Sequence, residues 1–424
     1  MVRPVGPVGG QVLAPRSKSH TNRAVVLAGL ASGRSRLKRP LIADDVERMA
    51  DGARALGVPV TAEGPDLVID GTDGAFPGGD VVIDAGLSGT TLRFLTAVAV
   101  LASGQVTITG GSGLLARPVL PLVDALVRLG CRVTTTGGRP PVVIRPGRPR
   151  GGTLSVDASK SSQFATALLL VAPFAESDVE VRVAGLGAAG YVDMTIDLMA
   201  RFGAEVFRTG DSIAVRAGTG YRPRVETISG DASAAAHIFA VAAATGGEVT
   251  VGNLQGAEGQ PDWAFLELLH QMGVTSTADR VSGTVTVRAP NRLTAINAGL
   301  SAMPDQLPTV AVLAALADGR SILTGLAVTR GHETDRLIAV AAELAKVGIA
   351  TDTGPDWISV NGGQPRGPAT IHTYDDHRMA MAFAALAARV PEISIDHPGC
   401  VAKTYPAFWS DLIAIGCDFS HQPH

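Results

Sequence analysis

The sequence predicts an α/β (α+β) protein made of six copies of one strand–helix–strand–helix–strand–strand unit, divided three and three between two domains. Two series of landmarks predict this. The first is a helical stretch ending in a hydrophobic–Gly pair and followed by a β-prone run. It reads ALGVPV at Gly57, RLGCRV at Gly130, RFGAEV at Gly203, QMGVTS at Gly273, KVGIAT at Gly348 and AIGCDF at Gly416, with gaps of 73, 73, 70, 75 and 68 residues. Glycine suits this place because the residue after a helix often takes a positive φ, which only glycine adopts without steric cost. The second series is the opening of apolar, Ala-rich helices near Ser17, Ser88, Ser161, Asp231, Asp305 and Asp375, with gaps of 71, 73, 70, 74 and 70. Ser and Asp are strong helix N-caps, so each opening is a credible start. Runs such as QVTITG, EVTVGN and SILTG supply the strands between them. Six such units exceed what one core holds.

Composition bounds the rest. With 424 residues, 46% hydrophobic and 18% charged, the chain has ample material for packed cores, and disordered, collagenous and coiled-coil classes are excluded. The longest apolar runs, Ala165–Ala172 and Val310–Ala317, fall far short of the ~20 residues that cross a bilayer. The first residues lack the charged-then-apolar pattern of a secretory signal. Cys131, Cys400 and Cys417 have neither metal-ligand spacing nor the number for a disulfide framework, so a reducing, cytoplasmic setting is expected. A net charge of −3 argues against a nucleic acid as the main partner.

The unusual polar residues gather at helix starts. In chain order these are Ser17-Lys18-Ser19-His20-Thr21-Asn22-Arg23, Ser88-Gly89-Thr90-Thr91-Leu92-Arg93, Arg117-Pro118, Ser161-Ser162-Gln163, Tyr191, Asp231-Ala232-Ser233, Asp305-Gln306, His332-Glu333-Thr334-Asp335-Arg336, Asp375-Asp376-His377-Arg378 and Lys403-Thr404. Taken singly, the serines read as caps, Glu333 and Asp335 as first-turn acids, Lys403 as a solvated lysine and His377 as a structural histidine. Taken together they read differently. Equivalent points of six copies can converge, and helix N-termini favour anions. Lys18, Arg23, Arg93, Arg117, Arg336, Arg378 and Lys403 would then form a cationic pocket for a small ligand carrying several phosphates or carboxylates. There is no GxxxxGK[ST] loop, no GxGxxG after a strand, no HExxH and no GxSxG, and Gly110-Gly111-Ser112-Gly113 reads as a flexible turn.

SKSHTNRA, SGTTLRF, LLARPV, SSQFATALLL, GDASAAAHIFAVAAA, MPD, RGHETDRL, YDDHRMAMAFA and AKTYP occur in this order along nearly the whole chain. In this the chain resembles the 5-enolpyruvylshikimate-3-phosphate synthase (3-phosphoshikimate 1-carboxyvinyltransferase) family. The resemblance implies the enolpyruvyl-transferase fold, two domains of three βαβαββ units each with the active site in the cleft between them. It also implies transfer of the enolpyruvyl group of phosphoenolpyruvate to the 5-hydroxyl of shikimate 3-phosphate, with release of phosphate through a tetrahedral intermediate. Domain boundaries are expected at 1–15 plus 230–424 and at 16–229, with crossovers near Pro15 and Ser229. The N-terminal strand is expected to return to the C-terminal domain.

Carried onto this sequence, the resemblance implies Lys18, Ser19, Arg23, Ser161, Ser162, Gln163, Tyr191, Asp305 and His332 at shikimate 3-phosphate. It implies Lys18, Gly89, Arg117, Gln163, Arg336, Arg378 and Lys403 at phosphoenolpyruvate, and Lys18, Asp305 and Glu333 as the catalytic groups. Arginine forks suit phosphate and carboxylate alike. Asp305 would take the hydroxyl proton, while Glu333 would protonate the methylene carbon and later remove a proton from the methyl. The leaving phosphate is already on the substrate, so no cofactor or metal is expected. A monomer that closes around its substrates is expected, its unliganded cleft held open by facing positive charges.

Four positions depart from the family pattern: Leu87 where Asn is usual, Ala188 for a phosphate-contacting Ser, Val328 for a substrate-contacting Asn, and His332 for Lys. Three alternatives stay open here. One is the sister transferase acting on UDP-N-acetylglucosamine, although the loop GGSGLLAR lacks its Cys or Asp. The others are a non-catalytic relative that binds a phosphorylated metabolite and an RNA-end-processing enzyme.

Overall fold

The computed structural model describes residues 2–3, 6–185 and 189–419. They form two compact units. The inserted lobe runs from Arg16 to Ile228; the terminal lobe joins the chain up to Pro15 to the chain from Ser229.

Each lobe holds three four-stranded sheets of one design. In the unit that opens at Gly152, strand Gly152–Asp157 lies parallel to Val179–Ala184, which lies antiparallel to Ser212–Val215, and Val206–Thr209 closes the edge. The first, second, fourth and third strands therefore stand in that spatial order. All six sheets repeat it, which confirms the six-unit fold expected from the sequence. The mixed pairing leaves one face of each sheet on a core and one facing water, so burial alternates along strands such as Arg139–Arg145.

The repeats in space differ from the repeats in sequence at three places. The strand that precedes the first helix, Gly9–Leu13, pairs in parallel with Glu248–Gly252 in the terminal lobe. The strand that precedes the fourth helix, Val225–Thr227, pairs in parallel with Arg36–Lys38 in the inserted lobe. Val2–Arg3 supplies the last strand of the unit that ends the chain, between Ile393–Ile395 and Asp418–Phe419. Each lobe thus borrows a strand from the chain segment that precedes the other lobe's first helix.

The six landmark glycines all hold positive φ, from +82° at Gly348 to +103° at Gly416. Each ends its helix in a backbone conformation that an L side chain would strain. The helices divide by burial. Leu307–Leu316 is apolar all round and buried on every side but its end, because sheets and neighbouring helices enclose it. Leu120–Arg128 is amphipathic and buries only Leu122, Val123, Ala125 and Leu126. Ser17, Ser88 and Asp231 cap their helices as expected, each side-chain oxygen accepting from the backbone N–H three residues on.

Three local expectations are corrected. Asp305 lies inside a short 3-10 turn, Pro304–Gln306, and caps nothing. Asp376, not Asp375, caps the helix His377–Arg389; Asp375 holds φ 54° and pairs with His397. The Gly110–Gly113 stretch is not an open turn, since Ser112–Leu115 forms one turn of helix just before Arg117. Among the described residues, no helix is long and apolar enough to cross a membrane.

Candidate active site

In the inserted lobe the first turns of the central helices carry the polar groups, and peripheral elements anchor them. Lys18 opens the helix Lys18–Leu30, and its Nζ lies 3.1 Å from Asp45 Oδ2 in the first turn of the next helix. One turn further, Arg23 is buried. Its Nε donates to Thr195 Oγ1 at 2.8 Å, Nη2 to the Tyr191 carbonyl at 3.0 Å and Nη1 to the Ser19 carbonyl at 2.9 Å. The guanidinium stands over the rings of Phe94 and Tyr191. Burial lowers it to about 10, with Tyr191 opposing, so it stays charged at neutral pH. Arg23 thereby ties the Lys18 helix to the Tyr191 helix.

A second link joins the other two central helices. Gln163 Oε1 accepts from Arg93 Nη1 at 2.8 Å, and its Nε2 donates to Thr90 Oγ1 at 3.1 Å. Ser161 Oγ accepts from the Gln163 N–H at 3.2 Å, while Ser162 makes no side-chain cap. Gly89 begins its helix beneath Arg117: a Cβ there would lie 3.0 Å from Arg117 Nη1 and 3.3 Å from Arg93 Nη1. Two guanidinium groups therefore stand at one helix N-terminus because that residue has no side chain. Leu87 is half-exposed and covers the turn before Arg117, its Cδ2 lying 3.2 Å from where a Cβ on Gly111 would stand.

The terminal lobe collects its residues around Arg336, the first residue of the helix Arg336–Lys346 and 1% exposed. Nη1 donates to Asp305 Oδ1 at 2.7 Å, and Nη2 donates to Glu333 Oε2 at 2.9 Å. Nε and Nη2 fork onto Asp376 at 2.7 and 3.1 Å. Lys403 Nζ donates to Glu333 Oε1 at 2.9 Å. Arg378 Nη2 lies 3.2 Å from Asp305 Oδ2 and donates to Ser233 Oγ at 3.3 Å. His332 Nδ1 lies 3.2 Å from Asp305 Oδ1 and 3.0 Å from Arg336 Nη1. Asp305, His332, Glu333, Arg336, Arg378 and Lys403, drawn from four separate segments, thus form one contact network.

The charges balance in a way the sequence reading did not foresee. The expectation was an excess of cations; here Asp305, Glu333 and Asp376 hold Arg336, Arg378 and Lys403. Burial pushes the Asp305 carboxyl up, but Arg378, the His332 hydrogen bond and Arg336 outweigh it and hold it well below the usual carboxylate range. Burial opposes the charge on Arg336, and Asp376, Glu333 and Asp305 more than restore it. An anionic ligand entering this lobe competes with carboxylates for cations already in place.

Asp376 was seen in the sequence only as part of a helix opening. As the N-cap of His377–Arg389 it accepts the Arg378 N–H, and the same carboxylate meets Arg336. Asp45, Ser233 and Thr195 carried no signal of their contacts. His237 was not singled out either: it is fully buried, bonded through Nδ1 to Thr309 Oγ1, and held neutral by burial and by Arg378 and Arg336. Val328 is half-buried in the 3-10 segment Ala327–Gly331. Ala188 lies outside the described residues.

Both lobes thus repeat the βαβαββ unit and carry their charged groups at or near helix starts. The family model for EPSP synthase (3-phosphoshikimate 1-carboxyvinyltransferase) matches residues 2–412, and the chain belongs to this family. It is 41% identical over 420 residues to the 3-phosphoshikimate 1-carboxyvinyltransferase of Methanoculleus marisnigri, covering 98% of this chain and 99% of the relative. Its identity to the enzyme of the same name from Cupriavidus necator is 39%, over 96% of this chain and 97% of the relative. A solved EPSP synthase structure from Acinetobacter baumannii superposes with a TM-score of 0.82 at 25% identity, covering 99% of both chains.

Proposed function

We propose that this chain transfers the enolpyruvyl group of phosphoenolpyruvate to the 5-hydroxyl of shikimate 3-phosphate and releases phosphate. The observation that carries the reading is the terminal-lobe network, in which two carboxylates suited to proton transfer, Asp305 and Glu333, share one buried arginine. Lys18, Ser19, Arg23, Ser161, Ser162, Gln163 and Tyr191 would hold shikimate 3-phosphate in the inserted lobe, with Asp305 and His332 at its reacting hydroxyl. Lys18, Gly89, Arg117, Gln163, Arg336, Arg378 and Lys403 would hold phosphoenolpyruvate.

The chemistry follows from these partners. The hydroxyl proton leaves toward Asp305 as the oxygen bonds to C2 of phosphoenolpyruvate, and Glu333 delivers a proton to C3. The tetrahedral adduct then loses a C3 proton to Glu333 as the C2–O bond to phosphate breaks, with Lys18 stabilising the departing charge. Glu333 starts as a carboxylate held on both oxygens by cations. When substrate phosphate and carboxylate take Arg336 and Lys403, Glu333 loses those partners and its protonated form becomes accessible, as a residue serving first as acid and then as base requires. Arg336 keeps its orientation through the exchange because Asp376 retains it.

We also propose a cytoplasmic monomer. The decisive experiment is phosphate release by the purified chain with phosphoenolpyruvate and shikimate 3-phosphate, run in parallel with UDP-N-acetylglucosamine as acceptor. Release only with the shikimate ester supports the reading, and release only with the nucleotide sugar, or with neither, overturns it.

A further inference from the structure

We propose that Glu343 is a positioning residue for the phosphoenolpyruvate half of the site: its carboxylate holds the turn Thr373–Asp376 in the shape that presents Asp376 to Arg336. This rests on the transfer reading above and adds to it a residue that acts through Asp376, not on the substrates.

The Asp376 N–H donates to the Thr373 carbonyl at 2.9 Å, and the two residues between them, Tyr374 and Asp375, hold φ 56° and 54°. A four-residue turn with positive φ at both central positions has the form of a type I′ turn, which glycine, asparagine and aspartate favour. Tyr374 is none of these. Its Cβ makes left-handed backbone costly, so the segment keeps this shape only where its surroundings impose it. The shape matters because Asp376, at its end, meets the Arg336 fork and the Arg378 N–H with one carboxylate. A relaxed turn would carry that carboxylate away from both.

Glu343 supplies the constraint. It lies on the helix Arg336–Lys346, seven residues after Arg336 and therefore on the same face, two turns along. Its Oε1 accepts from the Tyr374 hydroxyl at 2.8 Å, and its Oε2 accepts from the His372 N–H at 2.9 Å. Lys346 Nζ donates to the same Oε2 at 2.6 Å and to the Thr370 carbonyl at 3.1 Å. Burial, reinforced by Glu343, pushes the Tyr374 hydroxyl up to about 12, so it keeps the proton it donates. Between these two contacts, Thr373 donates its N–H and its hydroxyl to Asp396 Oδ1 at 2.7 and 3.1 Å. One helix thus grips one segment twice, at Asp376 through Arg336 and at residues 372 and 374 through Glu343.

Stability does not account for a charge at this place. Glu343 is fully buried, and apolar residues of similar volume match or exceed a buried ion pair in stability. A carboxylate adds what an apolar side chain lacks, two acceptors at a fixed angle, one for the Tyr374 side chain and one for the His372 backbone. Setting register is the best-attested use of a buried polar group, and register is what Asp376 needs.

The test measures kcat and both Michaelis constants by phosphate release in the wild type, Glu343→Gln, Tyr374→Phe, Asp375→Gly, and each of the first two combined with Asp375→Gly. Glu343→Gln keeps one acceptor oxygen of two. Tyr374→Phe removes only a hydroxyl from a ring that is 39% exposed, and it decides the matter if the buried substitution prevents folding. The KM for phosphoenolpyruvate should rise about tenfold in Glu343→Gln and about threefold or more in Tyr374→Phe, with the KM for shikimate 3-phosphate within about twofold and kcat within about threefold of wild type. Glycine holds positive φ without strain, so Asp375→Gly alone should leave the constants unchanged and should recover most of the loss in the combined variants. A general packing defect neither separates the two substrates nor is repaired by a glycine in the turn. A phosphoenolpyruvate KM within about twofold of wild type in every single variant that folds, or a loss that Asp375→Gly leaves untouched, overturns the assignment while the transfer reading stands. A wild type that releases no phosphate overturns the transfer reading and this inference with it.

Discussion

Asp376 carries the sharpest prediction for the integrity of the terminal lobe. Its carboxylate is fully buried and meets the Arg336 fork at 2.7 and 3.1 Å, and Oδ1 also accepts the Arg378 N–H at 2.9 Å, capping the helix. Removing one member of a buried ion pair costs about 3–5 kcal/mol, because the other charge is left desolvated. Asp376→Asn keeps an oxygen for the cap, and Arg336 keeps Asp305 and Glu333, so the low end applies: about 3 kcal/mol. Asp376→Ala also loses the cap, worth about 1 kcal/mol, for a total near 4. For a lobe of this size, each kcal/mol lowers the melting midpoint by about 2–4 °C, so the Asn variant should melt about 6–12 °C lower. The assay is convenient because Trp263, Trp357 and Trp409, the chain's three tryptophans, all lie in the terminal lobe. Tryptophan fluorescence in urea therefore follows that lobe. Phosphoenolpyruvate KM should rise as well, since Arg336 loses its orienting partner. A urea transition displaced by less than about 1 kcal/mol in both variants would refute the claim that this pair anchors the site.

Other outcomes follow from the same contacts. Glu333→Gln cannot shuttle a proton, so kcat should drop by about 10²–10⁴-fold with folding intact, as read by phosphate release and fluorescence. Gly89→Ala places a methyl 3.0 Å from Arg117 Nη1; displacing that guanidinium should raise the KM for phosphoenolpyruvate several-fold while kcat changes less, as steady-state kinetics would record. Asp305 is held well below the usual carboxylate range. Its stabilising contribution is therefore complete above the unfolded-state value of about 3.9 and is lost as pH falls through the lower folded value. Asp305→Asn should accordingly flatten the acid side of the stability–pH curve in urea titrations, and an unchanged curve would remove the ion-pair account. Arg23→Lys keeps the charge but cannot reach Thr195, Ser19 and Tyr191 together, so affinity for shikimate 3-phosphate should fall by an order of magnitude or more in calorimetry.

Local physics explains what could be read from the chain alone. A glycine after a helix, a Ser or Asp before one and alternating burial along a strand depend on residues within a turn or two. Six repeats of such signals therefore announced the fold, with all six landmark glycines at positive φ. The cationic and acidic side chains at the helix starts were legible for the same reason. Their partners were not. Arg336 joins Asp376 from 40 residues away and Asp305 from 31, while Arg378 reaches Ser233 across 145. Such pairings depend on how helices pack, and no spacing rule encodes them. The crossovers near Pro15 and Ser229 and the return of the N-terminal strand were expected from the family resemblance, but the pairings themselves, Gly9–Leu13 with Glu248–Gly252 and Val225–Thr227 with Arg36–Lys38, are decided only by the sheets. By itself, then, the amino-acid order determined the repeating unit, the family and the residue types of the chemistry. Tertiary packing alone decided that Asp305 turns to two arginines and an imidazole instead of capping a helix, because a buried charge is stable only where the fold brings it a counter-charge.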